Sequence, residues 1–183
     1  MTNWLLRTFI KNSDHPEDPK VRAAVGILSG IVGIFCNILL FGGKLAVGLL
    51  TRSVSITADA MNNLSDATSS VVTMLGFRLA ERPADEEHPF GHARYEYLSG
   101  LAVSALILII GVELAKSSLD KVLHPAAVEF GWTTAAVLAG SILVKLWMSL
   151  FNTKLGKTIH SATLAANAAD SSNDVITTSA VLL

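Results

Sequence analysis

Apolar positions along the chain fall into five long runs that are separated by short polar segments. A membrane-spanning helix needs about 20 mainly apolar residues, and other backbone conformations in lipid would leave peptide groups unpaired. Each run therefore predicts a transmembrane helix, and Pro125 bars a continuous helix between the third and fourth runs. The predicted helices cover about residues 26–50, 54–80, 97–119, 132–150 and 161–183. The predicted fold class is all-α, a polytopic membrane helix bundle.

Basic residues are distributed unevenly among the polar segments. Residues 1–20 are predicted to form a short cytoplasmic lead, because they contain no short apolar region followed by a cleavage site. The N-terminal part and the segments before the third and fifth runs hold Arg7, Lys11, Lys20, Arg22, Arg82, Arg94, Lys154 and Lys157. The other two segments hold Arg52 and Lys121. Since cytoplasmic loops are enriched in Lys and Arg, the N-terminus is predicted to be cytoplasmic, as are the segments at 81–96 and 151–160.

The composition agrees with a membrane protein. Of the 183 residues, 51% are hydrophobic and only 16% are charged, whereas soluble domains have about 25% charged residues. The formal net charge of -1 excludes a basic nucleic-acid-binding protein. The single cysteine, Cys36, lies within an apolar run and cannot form a disulfide within the chain.

The second apolar run contains four polar residues in the sequence ITADAMNNLSDATSSVV (56–72). They are Asp59, Asn62, Asn63 and Asp66. Their spacing of i, i+3, i+4 and i+7 places them on one face of a helix. The opposite face is predicted to hold the apolar residues Ile56, Met61, Leu64, Val71 and Val72. A charge near mid-membrane costs at least about 2.5–3.5 kcal/mol, so a carboxylate retained there indicates a functional site.

A second segment repeats this chemistry, because residues 58–66 align with residues 166–174. Both presumed helices present two oxygen-bearing side chains four residues apart, namely Asn62 with Asp66 and Asp170 with Asp174. Two such pairs on facing helices predict one site of hard oxygen donors, which favours Mn²⁺, Fe²⁺, Mg²⁺ or Ca²⁺ over Zn²⁺ or Cu⁺. Asp59, Asn63 and Asn167 are predicted to line the cavity or support the ligands. A hydrogen-bonded helix interface with protonated acids is the alternative interpretation.

The loop sequence ADEEHPFGH holds a second group of metal-binding side chains. His88 and His92 are four residues apart, and Asp85 lies three residues before His88. Histidine and carboxylate together suit Zn²⁺ or another borderline cation. A polar turn, in which Pro89 and Gly91 interrupt the helix, is the alternative and the simpler interpretation.

Three stretches of the sequence carry a family resemblance. They are KLAVGLLTRSVSITADAMNNLSDATSS (44–70), HPFGHARYEYLSGL (88–101) and HSATLAANAADSSND (160–174). Through these stretches, residues 20–183 resemble the cation diffusion facilitator family, whose members exchange divalent metal ions for protons across membranes. The resemblance implies six transmembrane helices, a cytoplasmic C-terminal domain and a homodimer. Residues 21–183 would then be a cation efflux transmembrane domain with five of the six helices, ending before helix six and the C-terminal domain.

The resemblance also implies which residues bind metal. The transport site is expected between the second and fifth helices, on Asn62, Asp66, Asp170 and Asp174. Zinc transporters of the family usually carry histidine at one or two of these positions, whereas this sequence has Asn62 and Asp170 where histidine is common. The set resembles the manganese-exporting branch, so Mn²⁺ is the expected cargo, with Fe²⁺, Zn²⁺, Co²⁺ and Cd²⁺ as alternatives. Some members bind a second metal at loop positions that match Asp85, His88 and His92.

The expected mechanism is antiport, in which metal leaves the cytoplasm and protons return. Carboxylates close together repel one another, which favours proton uptake, and a divalent cation drives these protons off. The expected partners are the metal ion, protons, the lipid bilayer of the cell membrane and, in the full-length protein, a second copy of the chain. No resident cofactor and no nucleic acid are expected. An intramembrane aspartyl enzyme is a remote alternative. Such an enzyme should have a glycine-rich element beside one acid, whereas the acids here lie among alanine, serine and asparagine residues. A channel or sensor is the third interpretation.

Three further charged residues fall in or near the predicted spans. Lys44 and Glu113 lie near outer ends, where a long side chain can extend to the interface. Lys145 lies nearer the cytoplasmic end of the fourth span. Pairing between helices is left open for all three, and no direct part in transport is predicted for them.

Overall fold

The described part of the chain is helical. The computed structural model describes residue 8, residue 10, residues 17–123 and residues 131–182. These ranges contain no strand, and their five long helices are α1 (Pro19–Leu50), α2 (Val54–Ala80), α3 (Arg94–Leu123), α4 (Trp132–Thr158) and α5 (Ala162–Leu182). The all-α prediction is confirmed. Pro125 and most of the predicted N-terminal lead lie outside the described residues.

The start of α1 is determined by the residues at its N-terminus. Asp18 accepts a hydrogen bond from the backbone N–H of Lys20 over 2.9 Å, and Pro19 lies in the first turn, where no intrahelical donor is needed. The helix therefore begins within the segment that the sequence predicts as a lead. At its other end the chain reverses over residues 51–53, where Arg52 has a φ of 54°.

The fourth helix is longer than predicted. The sequence predicts a polar connection at 151–160, but α4 continues through most of this segment. Phe151, Leu155 and Ile159 follow a four-residue spacing and are buried, so an apolar face runs along the whole segment. The two lysines of the segment are exposed on the other side of the helix, which accounts for its polar appearance in the sequence.

Glycines determine how closely α1 and α2 approach. A Cβ atom at Gly30 would lie 2.5 Å from Met74 Cβ, and one at Gly33 would lie 2.5 Å from Ser70 Oγ. Larger residues would clash at both positions, so the two backbones can pack closely only with glycine there. The pairs also fix the register, because each step forward along α1 meets a residue nearer the start of α2.

A cluster of apolar side chains closes the end of the bundle at which α1 begins. It contains Val25 of α1, Phe77 of α2, Phe151 and Leu155 of α4 and Leu164 of α5. Close packing of such side chains stabilises helix contacts in a bilayer through van der Waals attraction. This cluster therefore anchors four helices at one end.

An ion pair and the hydrogen bonds around it connect four helices at the same end. Arg22 Nε and Nη2 lie 2.7 Å and 2.8 Å from Glu96 Oε2 and Oε1, which links α1 to α3 in a bidentate geometry. Arg22 also donates to Ile159 O, where α4 ends. The backbone carbonyl of Glu96 accepts a hydrogen bond from Thr163 Oγ1 of α5 over 3.0 Å.

Much of the outer surface of the bundle is apolar. Among the described residues, three helices are long and apolar enough to cross a membrane, covering Pro19–Leu50, Arg94–Glu113 and Trp132–Thr158. Phe35 and Leu108 are 67% and 70% exposed, as expected of side chains that face lipid. The helices α2 and α5 are less apolar than these three, because polar residues interrupt their sequences. These two helices carry the candidate site.

Candidate metal transport site

Three carboxylates from two helices converge inside the bundle. Asp66 lies on α2, and Asp170 and Asp174 lie one turn apart on α5. Each offers an oxygen atom, and these three atoms lie within 4.8 Å of one another. Asp66 is 7% exposed, and the other two acids are partly buried. The structure thus brings together three of the four residues that the sequence assigns to metal binding.

A hydrogen bond between α2 and α5 aligns the two helices that carry the acids. Asn167 Nδ2 donates to Thr73 Oγ1 over 2.9 Å. Asp66 lies seven residues before Thr73, and Asp174 lies seven residues after Asn167. Seven residues make nearly two turns, so in antiparallel helices both acids return to the face that carries this hydrogen bond. Asn167, which the sequence predicts to support the site, therefore lies at the helix contact beside it.

A lysine of α4 lies between two of the acids. Lys145 Nζ is 2.5 Å from Asp66 Oδ2 and 2.6 Å from Asp174 Oδ2. Lys145 is 4% exposed, so its ammonium is shielded from solvent and depends on these two carboxylates. The sequence predicts no role for this lysine. The signal that indicates an inward-facing side chain is its spacing from Ser141 and Met148, which are also buried.

Asn62 is placed differently from the three acids. Its side chain is exposed, and it makes no hydrogen bond with a residue that the structure describes. Asn62 lies one turn before Asp66 on α2. The antiparallel register puts Asp170 about one turn away from the depth of Asp66 in the other direction, toward Thr73. Metal binding by Asn62 stays a prediction.

The four polar residues predicted to share one face of α2 differ in burial. Asn63 and Asp66 are buried, whereas Asn62 is exposed and Asp59 is partly buried. Ile56, which the sequence places on the opposite face, is only 2% exposed. Ile56 is buried because α2 contacts α1, α3 and α5, which cover more than one of its sides.

Asp59 is paired with a lysine of α1. Lys44 Nζ lies 2.8 Å from Asp59 Oδ2, and Lys44 is 3% exposed. Lys44 therefore turns inward rather than extending to the interface, because Asp59 supplies a partner for its ammonium. Asn63 lies one turn further along α2 and donates through Nδ2 to Asp59 O over 2.9 Å. Asp59 therefore has a partner of its own in Lys44, and the role of Asp59 and Asn63 in supporting the ligands stays a prediction.

The predicted ligands in the loop also lie together. Asp85, His88 and His92 each offer a ligand atom, and these atoms lie within 4.8 Å of one another. Asp85 Oδ1 accepts a hydrogen bond from the backbone N–H of His88 over 2.7 Å, and Asp85 Oδ2 is 3.4 Å from His92 Nε2. Gly91 makes the turn between the histidines possible, with a φ of 77°.

The loop leaves one imidazole nitrogen facing a carboxylate. His92 Nδ1 lies 3.0 Å from Pro83 O, and since a carbonyl oxygen only accepts hydrogen bonds, Nδ1 carries a proton. In a neutral His92, the lone pair of Nε2 then faces Asp85 Oδ2, and two such acceptors require a cation between them. The hydrogen bond from the His88 backbone lowers the pKa of Asp85, so its carboxylate stays ionised. The geometry suits a divalent cation or a protonated His92.

The net charge of the buried group is one that a divalent cation would balance. Three carboxylates and one ammonium leave two negative charges uncompensated when all four groups are ionised. Isolated charge is costly inside a helix bundle, so a cation or protons must accompany the group. Carboxylate oxygens are hard donors, and they suit Mn²⁺, Fe²⁺, Mg²⁺ and Ca²⁺.

Known proteins with related sequences include two manganese efflux proteins. Residues 30–183 match the cation efflux transmembrane domain. The chain is 31% identical over 149 residues to the manganese efflux system protein MneS of Bacillus subtilis (strain 168), covering 81% of this chain and 51% of that protein. It is 26% identical over 154 residues to the manganese efflux system protein MneP of the same organism, covering 84% and 51%. It is 32% identical over 147 residues to the magnetosome protein MamB of Paramagnetospirillum magneticum, covering 79% and 48%.

The matched region and its chemistry agree with the resemblance seen in the sequence. The chain spans about half the length of these relatives. Members of the matched family are transporters rather than enzymes, which removes the intramembrane aspartyl enzyme from consideration. The similarity to MneS and MneP confirms the resemblance to the manganese-exporting branch. The chain, a helical membrane protein with acids gathered between its helices, belongs to the cation efflux family of cation diffusion facilitators.

Proposed function

We propose that this chain is the transmembrane part of a transporter that exports Mn²⁺ from the cytoplasm in exchange for protons. The observation that carries the proposal is the group of Asp66, Asp170 and Asp174, whose oxygens lie within 4.8 Å inside a bundle with apolar outer helices. Acids at this depth are costly in a bilayer, and function is the usual reason for retaining them. Asn62, one turn from Asp66, is proposed as a fourth ligand through its amide oxygen.

The choice of Mn²⁺ depends on the donor atoms. In the described residues the group contains carboxylates and neither histidine nor cysteine, which favours a hard cation over Zn²⁺. Two relatives, MneS and MneP, are named as manganese efflux proteins. Export of Fe²⁺, or of Zn²⁺, Co²⁺ or Cd²⁺, is the alternative outcome of the tests below.

The proposed exchange uses the acids for both cargoes. Mn²⁺ enters from the cytoplasm and displaces protons from the carboxylates, and protons from outside later displace the metal. The N-terminus is proposed to lie in the cytoplasm, and the full-length protein is proposed to act as a homodimer in the cell membrane. Rocking of the helices would then expose the acids to each side in turn.

Flux in liposomes tests the site and the coupling together. Protein reconstituted in liposomes should take up Mn²⁺ in a saturable manner, with protons moving in the opposite direction. Uptake with a pH gradient is compared with uptake at the same metal gradient without one. Asp66→Asn, Asp170→Asn or Asp174→Asn should each weaken Mn²⁺ binding at least about 100-fold, because each removes a charged ligand. Asp59→Asn is the matched control, since Asp59 pairs with Lys44 instead.

The outcomes separate the parts of this proposal. Flux of Mn²⁺ without counter-flow of protons would contradict antiport, and flux that does not saturate would indicate a channel. Growth rescue by the full-length protein under excess Mn²⁺, Fe²⁺ or Zn²⁺, each supplied separately, identifies the cargo. Rescue under Zn²⁺ alone would contradict the assignment of Mn²⁺.

We also propose a second, weaker metal site in the loop. The observation that favours it is the 3.4 Å distance between His92 Nε2 and Asp85 Oδ2, with His88 close by. Zn²⁺ is the proposed ion because histidine and carboxylate are its common ligands. Transport through the bundle is not expected to depend on this site.

A further inference from the structure

The ammonium of Lys145 occupies oxygen atoms that a metal would need. It lies 2.5 Å from Asp66 Oδ2 and 2.6 Å from Asp174 Oδ2, and Lys145 is 4% exposed. A divalent cation held by both carboxylates would come close to the ammonium. Two positive charges at short range in a poorly screened site repel strongly. Metal binding therefore disfavours the observed position of the ammonium.

Two buried amide oxygen atoms, Asn37 Oδ1 and Asn63 Oδ1, have no hydrogen-bond donor among the described residues. Asn37 of α1 is 2% exposed, and no described residue donates a hydrogen bond to its Oδ1 atom. A buried acceptor without a donor is unfavourable, and such atoms are rare. The position of Asn37 therefore needs an explanation.

The contact between α1 and α2 places Asn37 at the depth of the acids. Gly33 of α1 faces Ser70 of α2, where a Cβ atom on the glycine would lie 2.5 Å from Ser70 Oγ. Asn37 lies four residues after Gly33, and Asp66 lies four residues before Ser70. Since the helices run antiparallel, these equal steps of about one turn bring Asn37 opposite Asp66.

The contact between α1 and α4 gives the same depth for the lysine. Ser29 Oγ donates to Asn152 Oδ1 over 2.7 Å. Lys145 lies seven residues before Asn152, and Asn37 lies eight residues after Ser29. With a rise of 1.5 Å per residue in antiparallel helices, Asn37 and Lys145 differ in depth by less than about 2 Å. Asn37 and the ammonium of Lys145 thus lie at one level of the bundle.

We propose that Lys145 is a mobile counter-cation of the transport site and that Asn37 Oδ1 accepts its ammonium once a divalent cation binds Asp66 and Asp174. This inference rests on the proposed function. Lys145 keeps its proton in both positions and moves as a charged group. Without metal it holds two carboxylates together, and with metal it donates to the amide oxygen of Asn37. Lys145 and Asn37 are positioning residues in this scheme, and the lysine lowers metal affinity so that the cargo can be released.

Equilibrium binding of Mn²⁺ to the full chain tests the proposal. Calorimetry at mildly alkaline pH limits competition from protons for the carboxylates. Lys145→Met should tighten Mn²⁺ binding about tenfold, because it removes a competing positive charge. In reconstituted protein the same variant should lower maximal flux, because the metal is released more slowly. Lys145→Gln carries the same expectation and serves where the methionine variant does not fold.

A double-mutant cycle tests the part played by Asn37. Asn37→Leu should weaken Mn²⁺ binding several-fold in the wild-type background, because the displaced ammonium loses its acceptor. The same substitution should have no effect in the Lys145→Met background, where there is no ammonium to accept. Asn152→Leu is the control, since it removes another buried asparagine of the α1–α4 contact and should act equally in both backgrounds.

Each outcome has a distinct meaning. If Lys145→Met and Lys145→Gln bind Mn²⁺ as weakly as the wild type or more weakly, Lys145 is not a competitor and the proposal is overturned. Equal weakening by Asn37→Leu in both backgrounds would overturn the role of Asn37 and would indicate a direct metal ligand. If the wild-type protein binds no Mn²⁺, Fe²⁺ or Zn²⁺, the proposed function itself fails.

Discussion

Asn167 of α5 donates a hydrogen bond to Thr73 Oγ1 of α2 over 2.9 Å, and neither residue is a proposed metal ligand. Thr73 is fully buried, so this contact is shielded from water. It lies two turns from the level at which Asp66 and Asp174 meet Lys145. The separation of the carboxylates therefore depends in part on a neutral hydrogen bond at some distance from them.

Loss of that hydrogen bond should weaken metal binding without removing a ligand. Asn167→Ala and Thr73→Val should each raise the Kd for Mn²⁺ about fivefold, which corresponds to about 1 kcal/mol for one hydrogen bond. The double variant should be no weaker than either single variant, because both remove the same contact. Calorimetric titration with Mn²⁺ measures the three values. Thr177→Ala is the control on α5, since its hydroxyl bonds only within its own helix, and additive effects of Asn167→Ala and Thr73→Val would contradict the alignment role.

Histidine at two of the proposed ligand positions should change metal preference. Asn62→His together with Asp170→His replaces oxygen donors with imidazole, which binds Zn²⁺ better than the harder Mn²⁺. Transport of Zn²⁺ relative to Mn²⁺ should increase by at least about tenfold in the double variant. Competition between the two ions in liposome uptake measures this ratio. Asp170→His without Asn62→His shows whether exposed Asn62 contributes, and an unchanged ratio in the double variant would mean that these residues do not determine selectivity.

The helices and the group of three acids could be predicted from the sequence, because both depend on short-range patterns. Apolar runs long enough to span a bilayer predict helices, and α2 begins and ends where its run does. Asp170 and Asp174 are four residues apart on one helix, so their common face follows from helical geometry alone. The alignment of residues 58–66 with residues 166–174 then supplied the partner helix.

The lysine partners of the acids could not be predicted from the sequence, because they depend on which helices are neighbours. A buried lysine shows the spacing of an inward face, but the sequence of α4 does not state that Lys145 meets Asp66 on α2 and Asp174 on α5. The pairing of Lys44 with Asp59 was hidden for the same reason. Hydropathy also misjudged the end of α4, where exposed lysines mask the buried face that continues to Ile159.

Close packing of α1 against α2 should make one glycine intolerant of substitution and leave another tolerant. Gly30→Ala would place a Cβ atom 2.5 Å from Met74 Cβ and should lower stability by about 1–3 kcal/mol through overpacking. Gly42→Ala meets no atom within 4 Å and should stabilise α1 by up to about 1 kcal/mol through helix propensity. Thermal unfolding of the two variants in detergent, followed by circular dichroism, compares them on the same helix. Equal melting temperatures would contradict the close approach of α1 and α2 at Gly30.

Zinc binding in the loop should depend on the carboxylate of Asp85, which is ionised above its lowered pKa. The His88 backbone N–H holds the pKa of Asp85 below its usual value, so the hydrogen-bonded loop is favoured above that pKa and loses this contribution as pH falls through it. Asp85→Asn should weaken Zn²⁺ binding by at least about tenfold, because removal of a direct ligand costs no less than that of a supporting group. Glu86→Gln is the matched control, since Glu86 is an exposed neighbouring carboxylate outside the ligand group. Calorimetry with Zn²⁺ measures binding to the loop alone when Asp66→Asn disables the site in the bundle. Equal loss of Zn²⁺ affinity in Asp85→Asn and Glu86→Gln would show that negative charge in general, rather than this geometry, attracts the ion.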